Sequence, residues 1–112
     1  AGKKGEETAA LYLAQQGYTV VARNYRCRWG EIDIICRRER LLVMVEVRSK
    51  STDRFGLPEE SISRDKVWRI RKTALDYLSR HPGMRSLELR FDFIAVTFAS
   101  SETRINHIEG AF

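Results

Sequence analysis

Residues 30–50, GEIDIICRRERLLVMVEVRSK, constrain the fold more tightly than any other stretch. Two apolar, β-branched runs meet there across a short polar break at Arg37–Arg40, the pattern of two strands joined as a hairpin. Strand side chains alternate with period two. That spacing predicts Glu31, Asp33 and Ile35 on one face of the first run, with Ile32, Ile34 and Cys36 on the other. In the second run Val43, Val45 and Val47 share a face, and Leu42, Met44, Glu46 and Arg48 share the opposite one. Pairing of the runs brings Asp33 and Glu46 onto neighbouring strands and one face, within reach of a common point.

Two carboxylates converging on a point suit a hard divalent cation such as Mg2+ or Mn2+, which takes oxygen ligands and completes its shell with water and a phosphate oxygen. Such an ion polarises a phosphodiester and supplies an activated water. Arg48, two residues beyond Glu46, is then available to hold the scissile phosphate or stabilise developing charge. The same spacing also describes the solvated face of an ordinary antiparallel pair, with Glu46 and Arg48 in surface ion pairs of little energetic consequence. Spacing leaves both readings open.

Upstream, Gly2 to about Gln16 reads as a helix: Ala9, Ala10, Leu13 and Ala14 recur at three- and four-residue intervals, and Gly17 suits a helix end. Glu6 falls on the same apolar stripe. It either complements the helix dipole in the first turn or faces the acidic strands as a third carboxylate. Tyr18 to Arg23 reads as a strand, and Asn24 to Trp29 as a basic loop leading to Gly30, a residue that permits close backbone approach. Downstream, Ser49 to Pro58 reads as a small, polar, mobile loop beside the acidic strands. A second helix is expected from an N-cap at Ser63 to about Arg80, with Val67, Ile70, Ala74, Tyr77 and Leu78 as its stripe and His81–Gly83 as its stop. Lys66 lies at the edge of that stripe, placed to reach a phosphate or to snorkel. Strands are expected at Leu87 to Phe98 and Arg104 to Glu109. Asp92 is expected to pair locally with Arg90 or a backbone amide rather than act as a ligand, and His107 to be structural or exposed rather than catalytic.

The order of elements, helix, three strands, helix, two strands, predicts an α/β fold: a mixed sheet flanked by helices in one domain, residues 1–112. No apolar run approaches membrane-spanning length and no charged leader precedes the first helix, so the expectation is a cytoplasmic protein without membrane association. Cys27 and Cys36 read as free thiols. A net charge of +5 points to an anionic partner. Its distribution narrows the partner to nucleic acid: Arg23, Arg26 and Arg28 interleave with Tyr25 and Trp29, while Arg64, Lys66, Arg69, Arg71 and Lys72 crowd the second helix. Cations bind phosphates and aromatics stack on bases. Arg26, Arg28, Lys66 and Arg69 are the candidate contacts, although the same residues would also serve as solubilising charge around half-buried rings.

The stretch KKGEETAALYLAQQGYTVVARNYRCRWGEIDIICRRERLLVMVEVRSK, the RFDFIAV strand and the closing HIEGAF resemble the bacterial YraN-like family over essentially the whole chain, GEIDII followed by VEVR being the most specific part. That family resembles the restriction-endonuclease-like superfamily, in which a PD-(D/E)XK signature sets an Asp and a Glu around Mg2+. The resemblance implies an αβββαβ core and a metal-dependent DNA endonuclease, acting on branched or recombination intermediates as Holliday-junction resolvases do. Residue by residue, Asp33 matches the metal-binding aspartate, Glu46 the glutamate of EXK, Arg48 the position of its lysine, and Glu6 the first-helix acid of several branches. Arginine keeps the charge but cannot accept a proton at physiological pH. A catalytically silent nucleic-acid-binding or scaffold protein is therefore the alternative. A homodimer would suit cleavage of both strands.

Overall fold

A computed structural model describes residues 2–51 and 62–112; of the expected mobile loop, residues 49–51 instead continue a strand paired with residues 96–98, and residues 52–58 lie outside the described residues. Helix α1 spans Lys3–Gln15, β1 Thr19–Cys27, β2 Gly30–Arg38, β3 Leu41–Ser51, α2 Arg64–Arg80, β4 Glu88–Phe98 and β5 Thr103–Ile108, with a single 3-10 turn at Pro82–Met84 after α2. The five strands form one sheet in the order β1-β2-β3-β4-β5. Neighbours are antiparallel except β3 and β4, which run parallel from Leu41↔Glu88 to Ser51↔Phe98. The mixed sheet and the αβββαβ order match the sequence expectation.

Strand β3 is the centre of the molecule because its side chains are apolar on both faces. Val43, Val45 and Val47 pack with Ile34, Cys36, Ile94 and Val96 under Ala9 and Leu13 of α1. Leu42 and Met44 pack with Ile35 and Phe91 under Ile70, Ala74 and Tyr77 of α2. Each helix therefore covers one face, as buried strands of this kind require. Ser63 caps α2, its hydroxyl accepting the Lys66 amide at 3.1 Å, and the helix stops before Pro82.

Two further expectations are corrected. First, β1 does not end at Arg23 but continues to Cys27, leaving only Arg28 and Trp29 in the turn to β2. Asn24 takes a positive φ of 54° between the pairs Arg23↔Ile34 and Tyr25↔Ile32. Asn tolerates that left-handed conformation because its short side chain costs little there, so a polar loop sequence is absorbed into a strand. Second, Ile32 does not share a face with Ile34 and Cys36: it packs with Ile35 in the α2 cluster, whereas Ile34 and Cys36 belong to the α1 cluster. The period of two is broken at Asp33, opposite the same irregularity in β1.

Asp92, fully buried in β4, has Arg90 donating to both its oxygens at 2.8 and 2.9 Å, the Gly110 amide at 3.1 Å and His107 Nε2 at 2.7 Å. The other ring nitrogen of His107 meets the Tyr12 hydroxyl at 2.9 Å. This network ties the end of the chain to α1, and both Asp92 and His107 have the structural roles expected of them.

Helix α1 approaches β3 closely at Gly5, where a Cβ would lie 2.5 Å from Ser49 Cβ. Overpacking of this kind costs about 1–3 kcal/mol. Gly5→Ala should therefore lower the thermal midpoint by roughly 5–15 °C, and Gly5→Ala with Ser49→Gly should regain part of the loss. Equal midpoints for the single and double variants in thermal denaturation would contradict the close packing.

Candidate active site

The β2–β3 ladder runs from Arg38↔Leu41 to Ile34↔Val45 and goes no further. Beyond it the Asp33 carboxylate, not a strand carbonyl, accepts the Val47 amide at 2.8 Å. A buried N–H must find an acceptor. Here the acceptor is a side chain that also faces a cavity. Gly30 takes a φ of 148° that side-chain-bearing residues rarely adopt, and α2 packs against it at ordinary contact distance, Thr73 Oγ1 and Arg69 Cβ lying 3.5 and 3.6 Å from where a Cβ would stand.

Asp33 and Glu46 line that cavity of about 360 Å³ together with Glu31 from β2 and Ser63, Lys66 and Arg69 around the start of α2. The two carboxylates are only 6% and 8% exposed. Burial is the largest influence on Asp33 and pushes its pKa up to about 7; the neighbouring Glu46 charge pushes the same way, Glu6 adds a smaller push, and the Val47 amide opposes them. Lys66 Nζ lies 2.6 Å from Glu46 Oε2. The α2 ammonium thus supplies the cation that two desolvated acids demand.

The other sequence-chosen residues divide around this centre. Glu6 is buried in α1 and feels Asp33 electrostatically, but it lines a separate open depression with Lys3, Arg23, Asn24 and Arg26, and Arg23 Nη2 lies 3.8 Å from its Oε1. Arg48 does not line the carboxylate cavity; its guanidinium carbon stands 5.9 Å from the Phe93 ring centroid. Arg69 lines the cavity and pairs with Asp65 one turn away at 3.0 Å. Arg26 pairs with Glu31 at 3.3 Å, and Arg28 lies over the Trp29 ring at 4.4 Å. Cys36, which burial pushes up to about 12, is an inert core thiol. Sequence reasoning gave Lys66 a phosphate or a snorkelling role and missed its contact with Glu46. The available signal was its place one turn before Ile70, on the stripe that faces the sheet.

Among the described residues no three His, Cys, Asp or Glu side chains are gathered closely enough to hold a metal ion by themselves. The donor set present, two nearly buried carboxylates that repel each other, is the chemistry that a hard cation relieves. It fits Mg2+ or Mn2+ in the mode where water and substrate phosphate supply the remaining oxygens. Among the described residues no helix is long and apolar enough to cross a membrane.

Comparison with known proteins agrees with this geometry only as far as kinship. The model of the uncharacterised protein family UPF0102 matches residues 5–96. A UPF0102 protein of Syntrophus aciditrophicus is 45% identical over 111 residues, covering 99% of this chain and 87% of the relative. Those of Persephonella marina and Geobacter sulfurreducens are 44% and 43% identical, covering 99% of this chain and 91% and 87% of the relatives.

The raised pKa of Asp33 has a consequence for stability in the metal-free protein. A carboxyl that holds its proton more tightly when folded adds stability at pH values below the ordinary carboxylate range. That contribution is lost as pH rises toward 7. Denaturant unfolding in EDTA should show wild type losing stability relative to Asp33→Asn between pH 4 and pH 8, the gap widening in favour of the variant; parallel pH profiles would refute the buried like-charge pair.

Proposed function

The chain belongs to the uncharacterised protein family UPF0102, and we propose that within it this protein is a metal-dependent endonuclease of restriction-endonuclease-like construction acting on DNA. The observation that carries this reading is the buried Asp33–Glu46 pair set where the β2–β3 ladder ends, with Lys66 against Glu46. Desolvating two like charges side by side opposes folding. A site that accepts such a cost is more readily explained by function than by stability. The αβββαβ order and the resemblance of GEIDII…VEVR to the PD-(D/E)XK signature support the same assignment.

In this reading Asp33 and Glu46 hold the metal, Mg2+ or Mn2+, which when bound supplies Lewis-acid polarisation and an activated water. The reaction is phosphodiester hydrolysis: the oxygen of water bonds to phosphorus, one P–O ester bond breaks, and the departing sugar oxygen takes a proton. The Val47 amide fixes the Asp33 carboxylate, so its orientation is set before substrate arrives. Lys66 and Arg69 line the cavity from α2, and in this reading they hold the substrate phosphate. Glu6 supports the electrostatics from the α1 side, and Arg26 and Arg28 extend the basic track beyond Gly30. Branched or recombination intermediates are the substrates in keeping with the resemblance, and a two-fold dimer would address both strands.

One observation favours a second reading. Arg48 occupies the lysine position of the signature, lies outside the cavity lining and cannot act as a base. A protein that retains the fold to bind nucleic acid without turnover would show salt-sensitive DNA affinity indifferent to Mg2+.

The deciding experiment follows cleavage of linear, single-stranded and branched DNA during Mg2+ and Mn2+ titration. Asp33→Asn should lose cleavage by at least about 100-fold while its circular dichroism is unchanged, and metal-dependent thermal stabilisation should disappear with it. Removing one charge-stabilising donor typically costs about 10²–10³ in rate. Lys66→Ala is expected to fall in that range and Arg48→Ala to cost less than tenfold. Full cleavage by Asp33→Asn would overturn the assignment, and DNA affinity without cleavage in any metal would favour the silent reading.

A further inference from the structure

Next to the carboxylate cavity the molecule presents a second assembly, built from the β1–β2 turn and the outer side of α2. Trp29 in the turn and Trp68 on α2 meet edge to face, with centroids 5.4 Å apart and planes at 86°. Arg28 lies over Trp29 at 4.4 Å, and Lys72 Nζ stands 5.0 Å from Trp29 and 5.6 Å from Trp68. Trp68 is 50% exposed, so half of the largest apolar side chain in the protein remains in water. The neighbouring cations are paired with carboxylates: Arg26 with Glu31, Lys66 with Glu46, Arg69 with Asp65 and Arg80 with Asp76. Arg28 and Lys72 make no such close pair among the described residues; the tryptophan rings are their nearest partners, and Arg28 also acts on Asp76 at longer range.

We propose that Trp29 and Trp68, rimmed by Arg28 and Lys72, form a stacking platform for an unpaired base of a DNA strand that continues into the Asp33–Glu46 cavity. This deepens the nuclease reading and rests on it for the direction of the strand. Three features carry it. The half-exposed Trp68 indole, with Trp29 edge-on beside it and two cations resting on the rings, offers what a single strand needs, a π-surface for the base and positive charge for its flanking phosphates. To one side, Arg26, Arg28 and Arg80 line an open depression of about 520 Å³ together with Trp29, where three guanidinium groups outweigh the one carboxylate, Asp76, which is paired with Arg80. On the other side the chain itself connects the platform to the cavity: Gly30, which follows Trp29, lines it, and Lys66 and Arg69 on either side of Trp68 line it too. Bases inside a duplex are already stacked on one another, so the platform selects for strands with unpaired nucleotides, such as those at a junction, a flap or an end.

The chain has two tryptophans beside its four tyrosines, and both tryptophans belong to the platform, so fluorescence excited selectively at tryptophan reports on it. The test titrates the protein in EDTA with three probes of equal length: single-stranded oligothymidylate, an abasic oligonucleotide carrying the same phosphates, and a blunt duplex. Saturable quenching by the oligothymidylate is expected, with the abasic strand binding about 5- to 100-fold more weakly, the range of one base stack. Trp68→Ala, read by anisotropy of labelled strands, should bring oligothymidylate down to abasic affinity, and Trp68→Phe should keep most of the preference. Equal affinity for the abasic strand, an unchanged Trp68→Ala, or burial of Trp68 by self-association in sedimentation would each overturn the platform. Failure of the nuclease reading looks different: base-dependent binding with no cleavage in any metal retires the enzyme and keeps the platform, whereas metal-dependent cleavage with unaltered affinity in Trp68→Ala does the reverse.

Discussion

Strand β3 must be covered on both faces and paired on both edges, and nearly everything else in the molecule follows from that requirement. Its valines and its Leu42–Met44 side are all buried, so a helix is needed above and another below. Its backbone is equally demanding, since each inward N–H and carbonyl needs a partner. The β2 hairpin supplies one edge antiparallel, and β4 supplies the other in parallel over the full length of β3. A parallel neighbour requires a crossover, and α2 lies on that crossover. The helix that closes the second face therefore also delivers its N-terminal turn, with Lys66, to the end of β3.

That end of β3 is the only part of its β2 edge where the ladder fails. Past Val45 the strands no longer exchange backbone bonds, and a carboxylate completes the accounting at Val47. The substitution of a side chain for a carbonyl is what turns a structural position into a chemical one. A carbonyl is neutral and committed; Asp33 is ionisable, lies beside Glu46 and lines a cavity. Burial and like charge raise its pKa, and Lys66 offsets part of the cost through Glu46. Such local conflict within an otherwise consistent fold is where function is expected to reside.

How much of this was legible in the sequence depended on the range of the interaction involved. The hairpin, the Ser63 cap and the Asp33–Glu46 proximity rest on short spacings and period-two alternation, so residues 30–50 and 63–66 carried them openly. Asp92 and His107 were also readable, because Arg90 sits two residues from Asp92 and no neighbouring histidine or nucleophile suggested chemistry for His107. The extension of β1 through Asn24 to Cys27 was hidden by composition: a run of Asn, Arg and Tyr reads as a loop, and only pairing with β2 makes it a strand. Ile32 was assigned to the wrong face because strict alternation was carried through a break at Asp33, opposite Asn24 of the neighbouring strand. Contacts made across the crossover, Lys66 to Glu46 and Trp68 to Trp29, depend on where α2 lands on the sheet, which no local spacing encodes.

The positions of Arg48 and Lys66 bear on how the cation of such a site is chosen. Arg48 continues the Glu46 face of β3 by alternation, yet its guanidinium lies toward Phe93, where a broad, weakly hydrated ion is at ease against an aromatic ring. Lys66 comes from another element with a compact, strongly hydrated charge on a flexible stem, and it is the one that reaches the carboxylate. A guanidinium at residue 48 therefore need not leave the pocket without a cation, because the fold delivers one from α2. The position of charge in three dimensions, and not the residue two places after Glu46, is what the chemistry of the pocket responds to. The same landing of α2 sets Lys66 inside the cavity and Trp68 beside it, so a single packing contact determines both the charge available to the carboxylates and the aromatic surface next to them.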